Sequence, residues 1–135
     1  MNAVKSICCI LVTILLCACA ITPRISTWES PKHFTKTQVF NAALEAGTAI
    51  GYTTTSSDRE SGTMSFTEKI ANGNMILNVR IVEENNVILV RTTANYAGDL
   101  AIAGMHEEEI RKLHKQLFRA LNISEPQNIH IEELN

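Results

Sequence analysis

Residues 63–94 read TMSFTEKIANGNMILNVRIVEENNVILVRTTA, and this stretch decides the fold. Three runs of alternating apolar and polar residues, Thr63–Ile70, Met75–Glu83 and Val87–Ala94, are separated by Asn72-Gly73 and Asn85-Asn86. Both pairs accept positive φ, which two-residue hairpin turns require. With Asn72-Gly73 as the first loop, Phe66 is expected opposite Val79 and Met64 opposite Ile81. With Asn85-Asn86 as the second, Ile81 faces Val90, Val79 faces Thr92, Leu77 faces Ala94 and Arg80 faces Arg91. The two turns then agree on one apolar face, made of Met64, Phe66, Leu77, Val79, Ile81, Ile88 and Val90. The opposite face carries Ser65, Thr67, Asn78, Arg80, Arg91 and Thr93. An antiparallel meander with one wet side is the arrangement such alternation specifies.

Working outward, Thr35 and Gln38 have capping-box spacing, and Phe34 and Val39 the spacing of a hydrophobic staple. Val39, Phe40, Ala43, Leu44, Ala46 and Ile50 follow at helical steps, and Gly51 supplies a stop. Tyr52–Ser57 is a Thr/Ser-rich strand, and residues 58–62 (DRESG) are a turn. On the far side, residues 95–104 form a loop containing Tyr96, Leu100 and Ile102. This loop either offers a docking surface or folds over the sheet edge to close the core. A second helix is expected from Met105 to Leu121. Glu107, Glu108 and Glu109 in its first turn and Lys115 and Arg119 near its end complement the helix dipole. Glu107–Arg111 and Glu108–Lys112 are i,i+4 pairs, and Ile110, Leu113, Leu117, Phe118 and Leu121 make the buried stripe. Ile129 and Ile131 alternate in the tail and suggest a short edge strand. The expected class is α+β: a four-stranded antiparallel meander with two helices packed on one face, in the order α-β-β-β-β-α.

The N-terminus has a different character. Lys5 is followed by an uncharged run, Ile7–Leu16, that fits the apolar core of an export signal. A membrane-spanning helix needs roughly 20 apolar residues, and Pro23 and Arg24 arrive too soon for that. The run ends in Leu16-Cys17-Ala18-Cys19, which resembles the lipobox of bacterial lipoproteins. That resemblance implies cleavage between Ala18 and Cys19, a diacylglyceryl group on the Cys19 sulfur and an acyl chain (palmitate or similar) on the new amine. The alternative is an ordinary signal cut that leaves Cys19 free. All four cysteines (Cys8, Cys9, Cys17 and Cys19) fall at or before the cut, so neither a disulfide framework nor a thiolate metal site is expected in the mature chain.

The expected organisation is therefore residues 1–18 as signal peptide, 19–33 as lipidated cysteine and flexible tether, 34–122 as one α+β domain and 123–135 as a tail. Trp28, alone in the tether, packs on the domain or sits at the lipid interface. With Lys5 removed, the 117-residue mature chain carries 11 Lys+Arg against 14 Asp+Glu, a formal charge of −3. This offers no basic footprint for nucleic acid.

Two further patterns resemble small, uncharacterised single-domain lipoproteins of Gram-negative bacteria: Gly51-Tyr52 with Asp58 and Gly62, and Tyr96-Ala97-Gly98-Asp99 ahead of a final amphipathic helix. More distantly, the element order is similar to the helix-grip units of BamC, a lipoprotein of the outer-membrane barrel-assembly machinery. With Ala20 after the cysteine, the resemblance implies a place at the periplasmic face of the outer membrane.

Candidate chemistry is sparse. Arg80 opposite Arg91, with Ser65 facing Arg80 from the other side, reads as two solvated side chains or as a site for an anionic envelope component such as a peptidoglycan carboxylate or lipid headgroup. His106 followed by three glutamates lacks the second His four residues on that a zinc helix needs, so His106 and His114 read as surface residues and no metal is expected. Asp58, Glu60 and Ser61 cluster in a turn without a neighbouring His base or a Gly-x-Ser-x-Gly elbow, so a small hydrolase has the least behind it. No cofactor is expected. The sequence reading is a non-catalytic, membrane-anchored interaction or structural module, with envelope proteins or peptidoglycan as partners.

Overall fold

The structure, a computed structural model, describes residues 23–98, 104–126 and 129–133. In chain order the elements are β1 (Arg24–Ser30), α1 (Lys36–Ala49), β2 (Thr53–Asp58), β3 (Thr63–Ile70), β4 (Gly73–Glu84), β5 (Val87–Gly98), α2 (Met105–Ala120) and β6 (His130–Glu133). They form a two-layer α+β domain whose six strands run in the order β2-β3-β4-β5-β1-β6, every neighbouring pair antiparallel. The class is the expected one, but the sheet has six strands where four were expected. None of the described helices is long and apolar enough to cross a membrane.

The added strands come from the two stretches flanking the expected domain. Arg24–Ser30, expected within the tether, is β1, and it pairs with β5 from Arg24↔Ala94 to Ser30↔Ile88. The tail contributes β6, which pairs with β1 from Arg24↔Glu133 to Thr27↔His130. Trp28 turns inward, its ring 5.0 Å from that of Phe118 in an edge-to-face contact. β5 is also longer than expected, since Asn95–Gly98 continue the ladder rather than opening a loop. Leu100 and Ile102 of that expected loop lie outside the described residues.

The Asn85-Asn86 turn has the expected geometry, with φ of 53° and 62°. Its register places Ile81 opposite Val90, Val79 opposite Thr92, Leu77 opposite Ala94 and Arg80 opposite Arg91. The other hairpin differs: Ile70 pairs with Gly73, so the loop is Ala71-Asn72, Phe66 faces Leu77 and Met64 faces Val79. Gly73 is used for close approach instead of turning. A Cβ there would stand 2.3 Å from the Ala97 carbonyl oxygen and 2.9 Å from the Tyr96 hydroxyl, which itself donates to the Asn72 carbonyl at 2.9 Å. The slip is two residues, and because strand side chains alternate with period two, every residue keeps its face. Met64, Phe66, Leu77, Val79, Ile81, Ile88 and Val90 are all buried.

Both helices cover that apolar face, α1 against β2 and β4, α2 against β1 and β5, and each against the other. The capping box on α1 is complete: Thr35 Oγ1 accepts from Gln38 N–H at 3.2 Å, and Gln38 Oε1 accepts from Thr35 N–H at 2.8 Å. Each helix ends in a Schellman motif, with Gly51 (φ 94°) after α1 and Asn122 (φ 53°) after α2 in the left-handed conformation. In α1 the closing bond runs from Tyr52 N–H to the Gly47 carbonyl, and in α2 from Ile123 N–H to that of Phe118. The first of these motifs aims Tyr52 at the candidate site.

Candidate functional site

Three polar constellations stand out. The first is inside the core. His114, expected on the surface, is fully buried, and His106 is nearly so. His114 Nε2 lies 2.9 Å from Ser26 Oγ on β1 and 3.2 Å from Thr92 Oγ1 on β5, both buried hydroxyls. Its Nδ1 is buried without a protein partner among the described residues. Burial, with Arg111 nearby adding to it, pushes the imidazole pKa down to about 4. His106 is also lowered, by burial and then by Arg24. The spacing held the signal: residues 106, 110, 113, 114, 117, 118 and 121 form one continuous helical face. Ser26 and His114 have nucleophile–base geometry, but both are sealed from substrate.

The second constellation is on the outer face. Arg80 and Arg91 are directly opposite, as expected. Ser65 does not join them: the two-residue register difference sets it opposite Asn78, to whose Oδ1 it donates at 2.6 Å, and Thr63 opposite Arg80. Arg91 reaches Glu84 at 3.5 Å, so a carboxylate already faces one of the two cations.

The third was not singled out by sequence reasoning. A cleft of about 320 Å³ lies between the β3–β4 hairpin and the start of α2. Met75, Met105, Ile70 and Tyr96 supply apolar wall, and Tyr52, Glu68, Glu108, Glu109 and Lys112 supply charge and hydrogen-bonding groups. Tyr52 donates to Glu109 Oε2 at 2.9 Å. Lys112 Nζ sits 2.8 Å from Glu109 Oε1 and 3.1 Å from Glu108 Oε1. Burial raises the Tyr52 pKa, and the carboxylates of Glu109 and Glu68 beside it raise it further, so the phenol keeps its proton and acts as a donor. Hydrogen bonding to Glu109 raises the Lys112 pKa and holds it cationic. Three carboxylates around one ammonium give the cleft a surplus of negative charge, suited to a cationic group with an apolar body. Chain distance hid this set, because Tyr52 and Glu109 are 57 residues apart.

Asp58, Glu60 and Ser61 form a turn closed on itself. Asp58 Oδ1 accepts from Glu60 N–H at 2.9 Å, and the Ser61 bonds, foremost among the causes, hold its carboxyl below the usual range. Among the described residues no three His, Cys, Asp or Glu side chains converge to hold a metal ion. Cys19 lies outside the described residues.

No family model matches the sequence, and no curated protein matches it significantly. Solved structures with a similar chain path include Ara h 8.0201, at 11% identity over 73% of this chain and 94% of that one, TM-score 0.47. TTHA0849 from Thermus thermophilus is similar at 13% identity over 73% and 93%, TM-score 0.44. An uncharacterised protein from Bacillus thuringiensis is similar at 8% identity over 73% and 95%, TM-score 0.47. None of these likenesses informs the chemistry of the cleft.

Proposed function

We propose that this chain is a lipoprotein anchored through Cys19 at the periplasmic face of the outer membrane, where its α+β domain is a non-catalytic interaction or structural module of the cell envelope. The observation that carries this is Leu16-Cys17-Ala18-Cys19 at the end of an uncharged run. A thiol is needed to carry diacylglycerol, and a small residue before it lets the peptidase close on the bond. Acyl chains in the bilayer contribute about 0.8 kcal/mol per buried methylene, so three of them hold the protein stably. Ala20, in place of an acidic residue after the cysteine, favours the outer membrane. The non-catalytic part of the reading is supported by the burial of Ser26 and His114, which leaves their nucleophile–base contact out of reach. The likeness to small Gram-negative lipoproteins belongs to the same proposal. Radiolabelled palmitate should enter the wild-type chain and not Cys19→Ala; equal labelling of both, or of neither, overturns the anchor.

A second reading, binding of an anionic envelope component at Arg80 and Arg91, is favoured by their direct opposition across the ladder. Glu84 already neutralises part of that charge, which makes this the weaker proposal. Anionic muropeptide should then shift the amide resonances around Arg80 and Arg91; a titration that leaves them unmoved removes it.

A further inference from the structure

The anchor and the fold are close together along the chain. Only Ala20–Pro23 separate Cys19 from Arg24, the first residue of β1. Extended chain covers at most about 3.3–3.6 Å per residue, so Cys19 stands no more than about 18 Å from Arg24. Arg24 is opposite Ala94, and β5 continues four residues past that point to Gly98, paired with β4 as far as Gly73. At about 3.4 Å per residue this overhang measures roughly 13 Å, with the Ala71-Asn72 turn at its tip. The tether therefore outreaches the hairpin by only a few ångströms. A sheet standing upright on acylated Cys19 has its hairpin tip in the headgroup layer.

The cleft described above lies at this same end, beneath the hairpin and beside the start of α2. Its charge selects among headgroups. Glu68, Glu108 and Glu109 outnumber Lys112, so a head carrying only phosphate is repelled while an ammonium is attracted. The Tyr52 hydroxyl has a single proton and gives it to Glu109, while Glu68, the other carboxylate beside the phenol, is partly exposed and open to a ligand entering the cleft. A primary ammonium, with three N–H donors, can bond Glu68 and Glu109 together.

We infer that the domain stands on its tethered end, with the Ala71-Asn72 tip against the bilayer, and that the Tyr52–Glu68–Glu109 cleft takes the primary ammonium of a phosphoethanolamine headgroup. This rests on the acylation of Cys19 proposed above. It also bars the domain from reaching any distance into the periplasm, so its partners must come to the membrane surface.

Maturation would leave no cysteine besides the acylated one, so single substitutions give unique labelling sites. The mature acylated chain, carrying a fluorophore at Asn72→Cys, Asn86→Cys or His130→Cys, is placed in vesicles containing bromolipid quencher and either phosphatidylethanolamine or phosphatidylglycerol. Asn72→Cys is expected to lose fluorescence, Asn86→Cys at the opposite end to keep it, and the loss to be greater with phosphatidylethanolamine. Glu68→Gln combined with Glu109→Gln should abolish that lipid preference. Stronger quenching at His130→Cys, on the β6 edge, would mean the domain lies on its side and would overturn the upright placement. Equal or stronger quenching with phosphatidylglycerol would overturn the ammonium site. The intact mass of the same sample separates the two levels: a fully acylated chain with unquenched Asn72→Cys refutes this inference alone, whereas a chain without lipid mass removes the anchor and the inference with it.

Discussion

The two ends of the sheet are built on opposite terms. At the end holding the Asn85-Asn86 turn, polar groups find partners close by. Thr35 and Gln38 cap each other, and Lys36 donates to the Glu60 carbonyl at 3.0 Å. Ile81 N–H reaches the Gly62 carbonyl at 2.8 Å, and Arg59 bonds Asn41 while lying over the Phe40 ring. At the other end, nearest Cys19 along the chain, three carboxylates crowd one ammonium and one phenol around a cleft walled by methionine and tyrosine. Where local partners satisfy every group, the residues serve the fold. Under the inference drawn above, the surplus of charge beside apolar wall serves a ligand. The contrast makes a sharp demand: damage at the first end should cost stability and leave membrane behaviour alone, and damage at the second should do the reverse.

The largest effect is expected at Gly62. Its φ is 73°, and a Cβ would stand 2.2 Å from the Ile81 carbonyl oxygen. Left-handed strain and overpacking together should make Gly62→Ala less stable by about 3–4 kcal/mol in urea unfolding, with lipid preference unchanged. Next comes a pH effect from the core between the two ends. His114 is neutral in the fold down to about pH 4, whereas in the unfolded chain it takes up its proton near 6.5. The unfolded state therefore binds more protons in that window, and stability should fall as pH drops from 6.5 towards 4, by about 3 kcal/mol in all, with no contribution from this group above 6.5. His114→Gln should flatten that slope, and an unchanged slope would locate the effect elsewhere. Thr35→Ala, which removes half the capping box, should cost about 1 kcal/mol. Smallest in stability is Glu109→Gln, since the amide oxygen still accepts from Tyr52 and only the attraction to half-exposed Lys112 is lost, about 0.5 kcal/mol. That same change should weaken the response to phosphatidylethanolamine, which is where the comparison between the ends would break if it did not.

The central meander was legible because its alternation is clean and its turn residues are specific. Even the displaced β3–β4 register kept every apolar residue on the correct face. Two misreadings, β1 as tether and His114 as a surface residue, have one physical origin. The inward positions of β1 are Ser26, Trp28 and Ser30, so the strand lacks the apolar alternation by which strands are recognised. Ser26 is polar because it faces His114, and His114 is tolerable in the core because Ser26 and Thr92 bond it. Each residue looks out of place until the other is beside it, and 88 residues of chain separate them. β6 was suggested by Ile129 and Ile131 but not counted in the four-stranded sheet, because four residues with only one of them apolar are a weak signal and the partner strand β1 was itself read as tether. The cleft was hidden for the same reason as the histidine. Its members come from β3, β4, β5, α2 and the residue that closes α1, and no local pattern announces such a set.

The proposed function rests on an anchor at Cys19, and the intact mass of the chain recovered from a detergent-solubilised envelope tests that most directly. The expected species begins at Cys19 and carries a diacylglyceryl group on sulfur and a third acyl chain on its amine. A mature chain that begins at any other residue, or that has no added lipid mass, would contradict the account.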